Sequence, residues 1–532
     1  MPKQIMRVVC AGMMMVCLGA WASGPVFHVS PQGNDAWSGT LAEPNADGGD
    51  GPFATLSHAR DAVRALSNDA GLAEGATINV HAGDYLLTEP LTFGARDSGV
   101  ANAPVLWQAP LGETVRLIGG MRVAEPATEE TGVLTADLSA AAPQPFHEVY
   151  CNGERQTLAR WPNKGEGALP GGRWAFVAAS ADDARKSAFF YAGDRPKNWA
   201  SVAGVEVSIW PNYNWWQTVA SVAGIDAAAR RVTLAGELPY TIEPGRRFFF
   251  QNVREELDAP GEWFYDGETK QLRLSPSAQA ESYEILLPQL DTIIAADGAS
   301  NLAFLGFTVE VCRKVAVSLV NCSDCLFGRG VVRNTGGFGV VVRGGERVRV
   351  DGNDISHTGK GGIVLEGGDR KSLTPAHHVA FNNHIHHYGD IEQTYQTAVN
   401  VNGVGNRVAN NLIHDAPHIG ILLTGNDHLI EYNDIHHVCL EGADNGGFYM
   451  GRDWTQRGNI LRGNRIHDIF GFGLAGMKDG VAHYESPFQA WGIYLDDCSS
   501  GTLIEGNMIY RVPLCGVMIG GGRDNMVVNN VF

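Results

Sequence analysis

The chain has 532 residues, too many for one ordinary compact core, so several domains or a repeat architecture are required. Hydrophobic residues make up 44% and charged ones 18%, a globular composition, and 66 glycines without a collagen period predict many tight turns and a β-rich fold. A net charge of -18 with no basic cluster argues against nucleic acid or an anionic membrane as partner, because acidic surfaces do not neutralise phosphates.

The first 23 residues read as a secretory signal. Lys3 and Arg7 precede a short apolar run, and "AWAS" supplies small residues for cleavage near Ser23. Cys17 lacks the small preceding residue of a lipoprotein signal. No later segment approaches the ~18 apolar residues of a membrane span. A secreted or periplasmic, bacterial, monomeric protein is expected. Removing Cys10 and Cys17 with the signal leaves seven cysteines, an odd number, so at least one is unpaired within the chain. Cys322 and Cys325 are spaced C-x-x-C, but no second pair completes a zinc site, and they read as small buried residues in a strand turn.

Residues 24–120 read as an N-terminal cap and first coils. "FHVSPQGNDAWSGT" and "GPFATLSHARDAVRAL" predict a strand, a loop and an amphipathic helix able to cover the open end of a stack of strands. From 121 to 287 the pattern changes to Trp-rich alternating strands such as "VEVSIWPNYNWW", read as an inserted β-sandwich-like domain. From 288 to 532 a repeat dominates. Asn353, Asn383, Asn411, Asn433, Asn464, Asn507 and Asn530 recur at spacings of 30, 28, 22, 31, 43 and 23 residues, each but the last followed two residues later by Ile. Short period-2 runs punctuated by Gly and Asn exclude helical repeats and predict a right-handed parallel β-helix of about 22 residues per coil. Asn suits a left-handed turn position and can hydrogen-bond coil to coil. A weak copy lies around Asn334. The chain stops after an Asn turn with no capping segment, and a truncated C-terminal end is expected.

The strands closing successive coils are "GIVLEGG", "TAVNVNG", "IGILLTG", "GGFYMGRD", "WGIYLDD" and "GVMIGGG". Alternation turns Asn400, Asn402, Thr424, Tyr449, Tyr494 and Asp496 to one solvent face, an aromatic, amide and acid mixture suited to a sugar. Asp453 lies one coil beneath Asp496, and two insertions, 437–447 and 468–491, precede these same two strands as candidate cleft walls. Coils ~4.8 Å apart and two residues along a strand place the two Cα atoms about 8 Å apart. That overlaps both glycosidase windows, ~5–5.5 Å for retention and ~6.5–9.5 Å for inversion. Asp453 and Asp496 are therefore the candidate catalytic pair, with Asp497 ranked third. Asp444 and Glu441 are held in reserve. Lys478, His483, Trp454, Trp491 and Tyr484 are candidate substrate contacts. No metal or cofactor is required. His386, His414, His436 and His467 form a second column on a different strand, read as a stacked ladder in preference to a metal site or groove.

The motifs "FHVSPQGNDAWSGT", "VYCNGERQTLARWPN", "ELDAPGEWFYD", "YMGRDWTQRGN" and "GIYLDD" together resemble glycoside hydrolase family 141 over nearly the whole mature chain. The resemblance implies a β-helix with an inserted β-domain, acting on plant cell-wall glycans as an α-L-fucosidase or xylanase. It also implies an aspartate pair at Asp453 and Asp496. A polysaccharide lyase using Lys478 or an Arg as base, and a non-catalytic glycan-binding β-helix, are the rival readings on the same scaffold.

Overall fold

The computed structural model describes residues 24–67, 72–141, 143–165, 174–196 and 199–532; the predicted signal segment lies outside them. Three parallel sheets, one of twelve strands and two of ten, run the length of a β-helix. Each coil contributes one short strand to each sheet. The second sheet contains Ile363–Gly367, Val399–Val404, Ile421–Asn426, Asn445–Met450 and Ala490–Leu495 in order. The third contains Asp354–Thr358, His384–Tyr388, Leu412–His414, Asp434–His436 and Arg465–His467.

Period-2 patterning decides what lies inside. Ile355, Ile385, Ile413, Ile435, Ile466 and Ile509 pair in register from coil to coil and form one buried column. Burying each such side chain contributes about 1.5–3 kcal/mol, which favours this register over a one-residue slip. At the open N-terminal end the helix Leu56–Leu66 is capped by the Thr55 side chain and buries Leu56, Ala59 and Val63 over the first coils.

The asparagine column is a continuous ladder. The Asn383 amide and Nδ2 both donate to Asn411 Oδ1, at 2.9 and 3.0 Å, and the same pair of bonds recurs from Asn353 through Asn507. The left-handed residue is not the ladder Asn but the one before it: Gly352, Asn382, Asn410, Tyr432, Gly463, Gly506 and Asn529 carry φ between 54° and 67°. The ladder position is selected for its side-chain amide. The weak copy around Asn334 is a coil of the stack, Val331–Thr335 pairing with Asp354–Thr358, but Gly330 rather than Asn334 occupies its ladder column, donating to Asn353 Oδ1.

A second ladder at another turn alternates His and Asn. The Val348 amide donates to His378 Nδ1, His378 to Asn406 Oδ1, Asn406 to His428 Nδ1 and His428 to Asn459 Oδ1. Irregular loop lengths hide this column from a reading anchored on Asn-x-Ile. All seven described cysteines are free, and Cys322 and Cys325 are buried.

The insert leaves and re-enters at one neck: Gly120–Arg122 pairs with Ile285–Pro288, and the Gln289 and Leu290 amides both donate to Gly119 O. Val105–Gln108 before it pairs directly with Leu302–Leu305 after it, so the coils stack as though the insert were absent. The expected sandwich is instead two units. Arg247–Gln251 pairs with both Ala175–Ser180 and Glu206–Ile209, which closes six antiparallel strands into a barrel around Phe189, Phe248 and Phe250. A separate five-stranded sheet lies nearer the neck. Alternating strands fit a sandwich or a barrel equally; ring closure depends on a strand pairing on both edges, which alternation does not encode.

Candidate active site

The site forms on the outer face of the second sheet, over the coils of Asn445–Met450 and Ala490–Leu495. Asn400, Leu422, Tyr449 and Tyr494 fall in one register column, and Asn402 pairs with Thr424 in the neighbouring one. Asp496 ends the last of these strands. Its side chain is only 11% exposed. Oδ1 accepts from the Asp497 amide at 2.8 Å and faces the Tyr494 hydroxyl at 3.2 Å. Oδ2 accepts from the Tyr449 hydroxyl at 2.8 Å and Arg452 Nε at 3.1 Å. Burial alone would push this carboxyl up, but the Asp497 amide, Tyr449 hydroxyl and Arg452 guanidinium together hold it below the usual carboxylate range. Gly451 makes the Tyr449 contact possible: a Cβ there would lie 2.7 Å from the Tyr449 hydroxyl and 3.0 Å from Asp496 Cβ.

Asp444 approaches from the first insertion. Its left-handed backbone, φ 59°, and an amide bond of 2.7 Å to Gln489 O fix its approach. The Tyr494 hydroxyl stands 3.1 Å from Asp444 Oδ1 and 3.2 Å from Asp496 Oδ1; laid end to end these contacts cap the oxygen–oxygen separation at 6.3 Å. Burial, then the nearby Asp496 charge, raise the Asp444 carboxyl above its ordinary value despite the Tyr494 bond. One phenol has one proton for two carboxyl groups. A proton on Asp444, passed toward the phenol oxygen while the phenol donates to Asp496, satisfies all three groups.

Asp453 is placed differently. Oδ1 accepts from the Thr455 amide and hydroxyl, and Oδ2 pairs with Arg370 at 3.0 Å. Burial opposes ionisation, yet Thr455 and Arg370 keep the carboxyl below its ordinary range. The side chain is thus bound into the turn after the strand. Asp497 is exposed, and its carboxylate pairs with Arg452 Nη2 at 3.4 Å. Trp491 packs on Tyr494 with ring centroids 4.2 Å apart. Asn400 and Asn402 share one strand, two coils from Asn445–Met450 and three from Ala490–Leu495. Trp454 stands 67% exposed at the rim. Lys478 and His483 are exposed on a two-stranded hairpin, Gly473–Lys478 with Val481–Glu485. Tyr484 of that hairpin packs between Phe176 and Phe472 and donates to Gly245 O, so it is a docking residue, not a free platform.

The inserted barrel supplies a wall that the repeat pattern did not reveal. Its loop "PNYNWW" lands on both insertions: Asn214 Nδ2 donates to Leu474 O, the Leu474 amide returns a bond to Asn214 Oδ1, and the Ala443 amide donates to Asn214 O. Trp215 and Trp216 pack edge-on against Tyr395, with centroids 6.1 and 6.0 Å apart, and the Gln217 amide donates to Thr394. Burial, then the negative charges of Asp444 and Asp496, push the Tyr395 phenol up to about 12 against the opposing charge of Arg452, which ties this aromatic cluster to the acids. A cavity of about 920 Å³ opens beside it, between barrel and β-helix. Trp216, Gln217, Tyr395 and Glu441 line it, whereas Asp444 and Asp496 stand outside its lining. Consecutive aromatics in an insert loop were the sequence signal that could have found this wall.

Residues 287–388 and 397–532 match the sequence family described as the right handed beta helix region. No curated protein sequence matches the chain. Among solved structures, one described as a glycoside hydrolase superposes with a TM-score of 0.78 at 19% identity, covering 95% of this chain and 96% of that one. Another, described as the complex of XylC with xylose, reaches 0.47 at 11% identity over 94% and 86% of the two chains. Among the described residues no helix is long and apolar enough to cross a membrane. The family match over the coils and the near-complete first superposition agree with the three sheets described above: the chain is a right-handed parallel β-helix carrying an inserted β-domain.

Proposed function

We propose that the protein is an exported glycoside hydrolase acting on plant cell-wall glycans with retention of configuration, Asp496 being the nucleophile and Asp444 the general acid and base. The observation that carries this reading is the Tyr494 hydroxyl shared by two carboxyl groups whose surroundings push their proton affinities in opposite directions. One hydroxyl bridging Oδ1 of both carboxyl groups, atoms no more than 6.3 Å apart, favours the ~5–5.5 Å spacing of retaining enzymes over the ~6.5–9.5 Å spacing of inverting ones. Asp444 therefore replaces Asp453 as partner in this reading, and Asp453 fixes the turn that presents Arg452.

Catalysis then runs in two displacements. An Asp496 oxygen bonds to the anomeric carbon while the glycosidic C–O bond breaks, and the leaving oxygen takes the Asp444 proton. Asp444, now ionised, takes a proton from water, whose oxygen bonds to the anomeric carbon and releases Asp496. All four acceptor positions of Asp496 are filled at rest, so one donor must give way. Arg452 is that donor, being 71% exposed. The Trp215, Trp216 and Tyr395 cluster offers ring faces and edges for sugar stacking, and the adjoining cavity falls within the ~300–1,000 Å³ of ordinary ligand pockets. The test is incubation with defined fucosylated and xylan oligosaccharides, following the anomeric protons by NMR. First-formed product of the substrate's own anomeric configuration is expected. Inverted product, or an unsaturated product absorbing in the ultraviolet, would replace this mechanism with the inverting or lyase one.

A further inference from the structure

The outer face of the third sheet, away from the acids, carries a row of imidazoles with a proton deficit. Asp415 Oδ2 lies 2.6 Å from His414 Nδ1, His414 Nε2 lies 2.7 Å from His384 Nε2, and His384 Nδ1 lies 3.0 Å from Asp354 Oδ2. Three such contacts need three bridging hydrogens, and two neutral imidazoles bring only two, so one further proton or a metal ion must fill the third. If His414 donates to Asp415 and His384 donates to His414, His384 Nδ1 points a bare lone pair at a carboxylate. His386 adds a second nitrogen to the same place: its Nε2 is 3.4 Å from Asp354 Oδ1, while its Nδ1 is engaged by His387 Nδ1 at 2.7 Å.

We propose that Asp354, His384 and His386 bind one divalent transition metal ion of the zinc type. One donor atom from each lies within 4.8 Å of the others, with His384 Nδ1 facing Asp354 Oδ2 at 3.0 Å and His386 Nε2 facing Asp354 Oδ1 at 3.4 Å, a carboxylate and two imidazoles being a ligand set that suits zinc. The side chains are partly exposed, which leaves the fourth position to water. His384 then donates its remaining ring N–H to His414, and His414 to Asp415, an outer chain of the kind that orients metal-bound imidazoles. Asp354 belongs to one coil and the two histidines to the next. The ion would clip the two together, a structural role distinct from hydrolysis.

Calorimetric titration of the chelator-stripped protein with zinc chloride tests this. One ion per chain is expected, with affinity at least tenfold weaker in Asp354→Asn and His384→Ala. His414→Ala, a positioning substitution, should weaken binding about tenfold while keeping the stoichiometry. Should the variants fold poorly, the wild-type protein decides: zinc must protect His384 and His386, but not His483, from carbethoxylation mapped by mass spectrometry. Absence of saturable binding, unchanged affinity in His384→Ala, or equal modification of His384 with and without zinc would overturn the site.

Discussion

Asp444 and Asp496 reach the same phenol from different directions, one from a loop and one from a strand end, and the phenol's single proton can serve only one of the two carboxyl groups. Two substitutions separate their roles. Asp496→Asn should lower kcat at least about 10³-fold on every substrate, because no other group forms the covalent bond. Asp444→Asn should be similarly slow on natural glycosides yet retain most of its first-step rate on aryl glycosides with good leaving groups, which need no proton. Asp453→Asn should stay within about tenfold of wild type, since its carboxylate is engaged by Thr455 and Arg370. An Asp453→Asn variant as dead as Asp496→Asn would restore the pairing expected from sequence.

The pH profile follows from the same directions. The proposed mechanism requires Asp496 ionised and Asp444 protonated. Asp496 is held low, so the acid limb should fall below the ordinary carboxylate range; Asp444 is raised, so the alkaline limb should fall above it. The measurement is kcat/KM against pH on a natural glycoside. In Asp444→Asn the alkaline limb should disappear.

Gly451→Ala should cost about 10–100-fold in kcat with the fold intact. The new methyl group would displace the Tyr449 hydroxyl from Asp496, removing a donor to the charged form. The acid limb should consequently move to higher pH, a change that a mere packing defect would not produce.

Asn411→Ala removes the acceptor for two donors of Asn383 and leaves a buried amide without a partner. A loss of about 2–4 kcal/mol in the unfolding free energy of this region is expected, read as a lower denaturant midpoint. Asn410→Ala, whose position needs φ 58°, tests the turn without touching the ladder and should cost only about 1 kcal/mol.

Acid should unfold the protein early. His378 and His428 are held near pKa 4 and His418 near 3, in each case chiefly by burial. Their folded values lie below the unfolded 6.5, so the unfolded chain binds more protons between about 4 and 6.5, and stability falls as pH drops through that window. Protonating Nδ1 of His378 or His428 would also cancel an accepted backbone bond. Melting temperature measured from pH 7 to 4 should decline steadily. His428→Asn, which keeps an acceptor as Asn406 and Asn459 do, should flatten part of the decline.

The coil architecture was legible because a single residue type, Asn, and a single neighbour, Ile, recur at nearly constant offset. Burial and hydrogen bonding select both at every coil. Tyr449, Tyr494 and Asp496 were equally legible through alternation. Asp444 was less so, since it lies in a loop whose path is set by a bond to Gln489 rather than by strand period. The surroundings of Asp453 were not legible for a related reason: counting along a strand continues the pleat past its end, whereas the chain turns at Arg452, φ 63°, and hands the carboxylate to Thr455. The mixed His and Asn ladder stayed hidden because unlike side chains perform the same accepting role.

The bond between Asn214 and Leu474 joins residues 260 positions apart. A nascent chain can close its barrel long before the hairpin that receives it exists, so the barrel must wait, tethered at its neck, until the late coils arrive. The wall that the barrel gives the groove is therefore completed only when these two distant parts of the chain meet.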